Sequence, residues 1–346
     1  MKTRPLALTL GDPAGVGPEI VVKAWRTLRA DGPAFFVVGD AQAVASAPTS
    51  GRGFVRTISN PDEALAVFPD AIPVLDLPLR GPVVAGQPTA ASAGAIIQWI
   101  ETAVGLALSG TVSGVVTAPI AKAPLYEAGF KFPGHTEFLG ELTSAASFDG
   151  ARGPIMMLTA ADLRVTLVTV HEPLAKVAGK LSIQAVVNAG LVTAQALRRD
   201  FGIAKPRLAV AGLNPHAGES GGIGREEIEI VEPAVRALKD LGVDARGPYP
   251  SDTLFHAEAR QTYDAALCLY HDQALIPIKM LDFWGGVNVT LGLPIVRTSP
   301  DHGTAFDIAG RGIAREDSLI LAAERAAHLA PGWTHVWETA RAQTGG

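Results

Sequence analysis

Short runs rich in Val, Leu and Ile alternate along this chain with longer Ala-rich stretches whose apolar residues recur at helical spacing. The apolar runs predict strands at 6–10 (LALTL), 35–38 (FFVV), 114–117 (GVVT), 165–170 (VTLVTV), 208–213 (LAVAGL), 265–270 (AALCLY) and 287–291 (VNVTL). Their near-continuous apolar character suits strands covered on both faces. Helices are predicted at 20–28, 93–109, 183–199, 226–241 and 317–329. Strand and helix in alternation imply an α/β sheet protein. The segment 41–85, rich in Pro, Gly and Ser, reads as irregular outer loops. No internal repeat or low-complexity linker interrupts the pattern.

Composition narrows the class. At 346 residues the chain is long for one core, so two lobes are expected. With 48% apolar and 18% charged residues it has the make-up of a folded enzyme and not of a disordered chain. A net charge of -5 with scattered Lys and Arg gives no nucleic-acid footprint, which leaves a small molecule as the default partner. The single cysteine, Cys268, sits in the apolar run AALCLY and reads as a buried core thiol. The N-terminal apolar stretch is broken by Gly11, Asp12 and Pro13 before it reaches signal-peptide length, and no run reads as a membrane span. A cytoplasmic location is the expectation.

Candidate chemistry begins with the histidines. His171 follows VTLVTV, His271 follows AALCLY and His216 comes shortly after LAVAGL. Ligands in open α/β sheets bind beyond the carboxyl ends of strands, so all three imidazoles are expected on one working edge. Three convergent imidazoles would make a catalytic metal site with an open position, although a histidine at a strand end is more often a plain polar loop residue. His256 stands at a predicted helix start, while His328 and His335 read as solvated positions near the C-terminus.

The stretch from Gly212 to Glu227, GLNPHAGESGGIGREE, permits other parses. Gly218, Ser220 and Gly222 match G-x-S-x-G, and the order Ser220, Asp252, His271 would allow a triad. A nucleophile elbow requires a strand to turn at once into a helix, whereas Asn214 to Gly218 intervene here. Neither this stretch nor GDPAGVGPE near the N-terminus completes a dinucleotide fingerprint, because Ile20 and Glu227 replace the third glycine. The turn at Gly11 to Glu19 nevertheless lies between strand and helix and can line a cleft through its backbone N–H groups. Lys279 and Arg297 are candidate anion partners, joined by Asp272 and Asn288 in a polar run that starts at Tyr270.

Six stretches together carry a resemblance: GDPAGVGPE, GHTEFLGELT, AGLNPHAGESGGIGREE, PSDTLF, YHDQALIPIK and VNVTLGLPIVRTSPDHGTAFDIAG. In this order they resemble the 4-hydroxythreonine-4-phosphate dehydrogenase family. The tail HGTAFDIAGRGIA is also similar to the cofactor loop of isocitrate and isopropylmalate dehydrogenases, which bind NAD without a Rossmann fingerprint. The resemblance implies two α/β/α lobes with mixed sheets and an active-site cleft between the lobes. The first lobe would comprise residues 1–135 and 290–346 with the cofactor loop, the second residues 136–289 with the metal ligands and dimer interface. The implied reaction is NAD- or NADP-dependent oxidation of 4-phosphooxy-L-threonine followed by decarboxylation, in pyridoxal 5'-phosphate biosynthesis.

Carried over residue by residue, the resemblance implies that His171, His216 and His271 bind a divalent metal (Zn, Mg, Mn or Co) at a homodimer interface. It places substrate contacts on His135, Thr136, Lys279, Asn288 and Arg297, and cofactor contacts on Gly303, Thr304 and Asp307. Ser220 and Ile223 stand at variable positions of the glycine loop. Asp252 and Asp272 are candidate bases, with helix capping or histidine orientation as alternatives. Three other readings stay open: the same chemistry on a D-threonate or D-erythronate 4-phosphate or a ring diol dicarboxylate, a serine or metal hydrolase, and a non-catalytic phosphosugar-binding protein.

Overall fold

The computed structural model describes residues 4–48 and 54–333; His335 and part of the 41–85 segment lie outside them. Twelve strands follow in chain order: β1 (Leu6–Thr9), β2 (Phe35–Gly39), β3 (Val55–Ile58), β4 (Ile72–Asp76), β5 (Val115–Thr117), β6 (Ile155–Ala160), β7 (Leu163–Leu167), β8 (Arg207–Ala211), β9 (Asp244–Tyr249), β10 (Ala265–Cys268), β11 (Val287–Leu291) and β12 (Arg297–Pro300). The chain divides into two compact units, residues 1–146 with 294–346 and residues 147–293. A border at 135/136 would cut the helix His135–Leu142 after its first residue; the first unit closes beyond that helix instead.

The first unit holds six parallel strands in the order β3-β4-β2-β1-β5-β12. β1 and β2 are fully buried, as their unbroken apolar runs require. The helix Ala93–Leu108 packs on β1, β2 and β5, and the helices Gly17–Leu28 and Asp317–Leu329 pack on each other. The expectation that no segment has membrane-span character needs correcting. Residues Ala90–Leu108 are long and apolar enough by composition, with mean hydropathy 1.3. Their apolar side chains Ile96, Trp99, Ile100 and Val104 are buried in this unit's core, which explains the hydropathy.

In the second unit the order is β11-β6-β7-β10-β8-β9. β6 runs antiparallel to both β11 and β7, while β7, β10, β8 and β9 pair in parallel, so the sheet is mixed. Cys268 is buried in the core here with Leu158, Val165, Leu167, Ala266 and Ile278, and burial pushes its thiol pKa up.

One further expectation changes. Residues 41–85 are not plain loops, since they contain β3, β4 and the short helices Ala41–Ala45 and Ala64–Val67. Arg56 and Thr57 are exposed on edge strand β3, and Pro73 interrupts the apolar run of β4, so both strands lack the buried-strand signature. The polar run from Tyr270 forms the helix His271–Leu281 despite Pro277 in its interior.

Candidate functional site

The adjacency of β7 and β10 brings two of the three candidate histidines together. Pairing continues past the strand ends: Val168 N donates to Cys268 O at 2.9 Å, and the Thr169 hydroxyl donates to Leu269 O at 2.6 Å. The chains of His171 and His271 therefore leave the sheet side by side, and their ring centroids lie 5.7 Å apart. His271 opens the helix His271–Leu281, and its Nδ1 lies 2.7 Å from Asp272 Oδ1. A carboxylate against an imidazole orients the ring and leaves the other nitrogen to a ligand. A cavity of about 430 Å³ opens here, lined by His171, Glu172, Tyr270, His271 and Asp272 on its polar side and by Val170, Leu174 and Val177 on its apolar side. Two adjacent imidazoles, one braced by a carboxylate, suit a divalent cation as donors.

His216 follows the next strand, β8, but stands exposed on a turn of its own. Among the described residues no group of three or more His, Cys, Asp or Glu side chains is arranged to hold an ion. The turn is unusual: residues His216 to Ser220 all lie in the left-handed region, with φ between 44° and 79°. Left-handed backbone costs roughly 1–2 kcal/mol for each residue carrying a Cβ, and Gly218 alone of the five lacks one. Buried Glu227 holds the base of this turn through the backbone N–H groups of Leu213 and Asn214, each 2.7 Å from Oε1.

Gln273, also buried, ties three strand ends together. It accepts from Leu269 N at 2.6 Å and donates to Gly212 O at 2.6 Å and to Ser251 Oγ at 2.7 Å. Neither Glu227 nor Gln273 stood out in the sequence reading. The available signal was a charged or amide side chain two to four residues into a helix that follows a strand and turn.

Ser220 is exposed within the left-handed turn, and the next helical segment begins only at Glu226, so the elbow demanded by the serine-hydrolase parse is absent. Asp252 is exposed in the short turn Ser251–Thr253. Lys279 lies in the last turn of its helix, with Nζ 5.2 Å from the Phe283 ring centre. Asn288, on β11, has a buried Oδ1 without a hydrogen-bond partner. His256 caps the helix Ala257–Arg260, as its place in the sequence suggested, and His328 is exposed.

The first unit gathers a separate set. His135 opens the helix His135–Leu142, with Thr136 beside it, and its Nε2 is buried without a partner. Burial, then the nearby Arg297 and Lys122 cations, hold its pKa well below the ordinary histidine value, so the ring is neutral. Arg297 sits on β12 with 2% exposure and donates from Nη2 to Thr117 Oγ1 on β5 at 2.6 Å. Burial pulls its pKa down to about 10, opposed by Glu137. A buried guanidinium beside a neutral imidazole with an unsatisfied nitrogen is a setting that favours an anionic ligand. Lys122 belongs to this set and was missed, because nothing in AKAP marks it.

The same unit carries the candidate cofactor loop. The turn after β1 meets the turn after β5, where Asp12 N donates to Pro119 O at 2.8 Å. β1 and β5 flank the point at which strand order reverses, the usual ligand position in open α/β sheets. Gly11 has φ +75°, and a Cβ there would lie 2.5 Å from Pro119 O, so glycine is required. Thr304 accepts from Val16 N at 3.0 Å, which sets the loop bearing Gly303, Thr304 and Asp307 against this turn. Glu19 and Lys23 fasten its far end: Glu19 accepts from Gly312 N and Ala314 N, and Lys23 donates to their carbonyl oxygens.

These features first define a class: a two-unit α/β protein whose paired histidines and candidate cofactor turn follow the carboxyl ends of strands, as in open-sheet enzymes. Residues 32–326 match the family described as Pyridoxal phosphate biosynthetic protein PdxA, and the chain belongs to that family. It is 70% identical over 330 residues to a 4-hydroxythreonine-4-phosphate dehydrogenase of Caulobacter vibrioides, covering 95% of this chain and 98% of that one. The crystal structure of the protein of that name from Klebsiella pneumoniae is similar with a TM-score of 0.83 and 41% identity, over 95% of this chain and 98% of that one. A terephthalate 1,2-cis-dihydrodiol dehydrogenase from Burkholderia xenovorans is similar with a TM-score of 0.63 and 29% identity, over 94% and 98%.

Proposed function

We propose that this chain catalyses the NAD-dependent oxidation of 4-phosphooxy-L-threonine to 2-amino-3-oxo-4-phosphooxybutanoate, followed by decarboxylation to 3-amino-1-hydroxyacetone phosphate, within pyridoxal phosphate biosynthesis. The observation that carries this reading is the 70% identity, over 95% of the chain, to a relative named for this substrate. The ring-diol reading has weaker support, at 29% identity to a protein named for such a substrate.

In this reading Arg297 and Lys279 bind the phosphate and carboxylate charges, His135 and Thr136 donate or accept at the phosphate end, and Asn288 uses its unpartnered Oδ1 to orient a substrate N–H or O–H. His171, His216 and His271 would hold a divalent cation, zinc, magnesium, manganese or cobalt, which would supply positive charge where negative charge develops on the substrate. Gly303, Thr304 and Asp307 would hold a nicotinamide cofactor, which would supply the hydride acceptor. Asp272 orients His271, and Asp252 is the candidate proton acceptor.

The chain works as a homodimer whose metal ligands come from both copies. Support comes from the described residues of one chain, which bring no group of three His, Cys, Asp or Glu side chains together to hold an ion. It comes also from Leu174, Ile276, Met280, Phe283 and Trp284, large apolar side chains exposed on the elements that carry and follow the histidine pair. The test is to follow reduction of NAD by the purified protein with 4-phosphooxy-L-threonine, D-threonate 4-phosphate, D-erythronate 4-phosphate and a ring diol dicarboxylate, before and after chelation. Turnover is expected with the first substrate and lost on chelation. Faster turnover of either sugar-acid phosphate or of the diol overturns the substrate assignment, and turnover that survives full metal removal overturns the ion site.

A further inference from the structure

We infer that Glu227 is the positioning residue for His216, acting through the left-handed turn that lies between them. The inference rests on the reading of His216 as a ligand for a divalent cation. The turn presents its side chains to solvent: His216, Glu219 and Ser220 are exposed, and Gly218 is its one buried residue. Apolar packing therefore does little to hold it, and four of its five residues carry a Cβ in a region that L-residues avoid. Something outside the turn has to select this conformation.

Glu227 meets that requirement. The side chain is 1% exposed, and both of its oxygens are spent on the residues that lead into the turn. Oε1 accepts from Leu213 N and Asn214 N at 2.7 Å each, and Oε2 accepts from Asn214 Nδ2 at 2.9 Å. The carboxylate also closes on the turn itself, since a Cβ on Gly218 would lie 2.6 Å from Oε2. Inside the turn, Ala217 N donates to Asn214 O at 3.0 Å, so a shift at Asn214 passes to the residue that follows His216. A carboxylate accepts on both oxygens; a glutamine would turn an NH2 group against the Asn214 amide or against the two backbone N–H groups. Loss of this hold releases the turn toward the right-handed conformations its residues prefer, and His216 moves with it.

The experiment uses the full chain, stripped of metal and titrated with Co²⁺ against a chromophoric chelator, with assembly state checked by sedimentation and folding by thermal unfolding. His216→Asn is expected to weaken Co²⁺ binding at least a hundredfold. Glu227→Gln is expected to weaken it about tenfold to a hundredfold, the range for groups that orient a ligand, and to change the visible Co²⁺ spectrum while unfolding stays cooperative. Adding Glu219→Gly to Glu227→Gln should recover part of the affinity, because glycine carries no left-handed penalty. Wild-type affinity in Glu227→Gln, or no recovery in the double variant, overturns the inference while the result for His216→Asn stands. Wild-type affinity in His216→Asn overturns the ligand reading itself. Should Glu227→Gln fail to fold, Asn214→Ala decides, with Glu226→Ala as its control because Asn214 Nδ2 also donates to Glu226 Oε2 at 2.8 Å: several-fold weaker binding is expected in Asn214→Ala and not in Glu226→Ala, and unchanged binding in Asn214→Ala, or equal weakening in both, overturns the inference.

Discussion

His135 shows how burial sets chemistry at the level of one residue. Its ring is held neutral by burial and by the Arg297 and Lys122 cations, so its pKa is lower in the folded chain than in the unfolded one. Below about pH 6.5 the unfolded chain takes up a proton that the folded chain refuses, so His135 supports folding above that pH and the support is lost as pH falls toward the folded-state pKa. Replacing His135 with Asn should flatten the acid side of the stability curve, by up to about 1.4 kcal/mol per pH unit in that window. Denaturant unfolding between pH 5 and 7 measures it, and an unchanged slope would refute this account of the residue. His171, His216 and His271 drew attention in the sequence because each follows an apolar run, whereas His135 entered only through the family resemblance. Glu19, Gln273 and Glu227 drew none, because what marks them is a hydrogen-bond partner brought near by folding.

Elements were legible in proportion to how well their letters agreed with their burial. The helices Ile183–Arg199 and Asp317–Leu329 and the strand β11 coincide with their sequence patterns residue for residue. β12, spelled RTSP, escaped because its polar side chains are buried against β5 and the last helix, where Thr298 donates to Ala322 O at 2.8 Å. The turn after β1 gives a test at this scale. Gly11→Ala places a Cβ against Pro119 O in a left-handed conformation, and a loss of about 1–3 kcal/mol is expected in denaturant unfolding. A change within a few tenths of a kcal/mol would mean that the two turns separate at no cost and that this switch point is not rigid.

For the whole molecule, the existence of two units was legible from length, whereas their borders depended on helix ends that no local pattern marks. The apolar side chains of Ile276, Met280, Phe283 and Trp284 form an exposed run at the end of one helix. Met280→Glu with Trp284→Glu should shift the proposed dimer to monomer in sedimentation at micromolar concentration and leave each unit folded by circular dichroism. A dimer that persists would move the interface elsewhere.

The second unit is an insertion in the chain of the first, which leaves and re-enters at residues 146 and 294. On the ribosome this becomes a matter of timing. β5 is made early, yet its neighbour β12 and the Arg297 bond to Thr117 belong to chain 180 residues further on. At about 5–20 residues per second that edge waits on the order of ten seconds to half a minute, while the entire inserted unit emerges. Of the strand pairings within the first unit, β5 with β12 thus waits longest for its partner, and chaperone capture or aggregation during translation should concentrate on that edge.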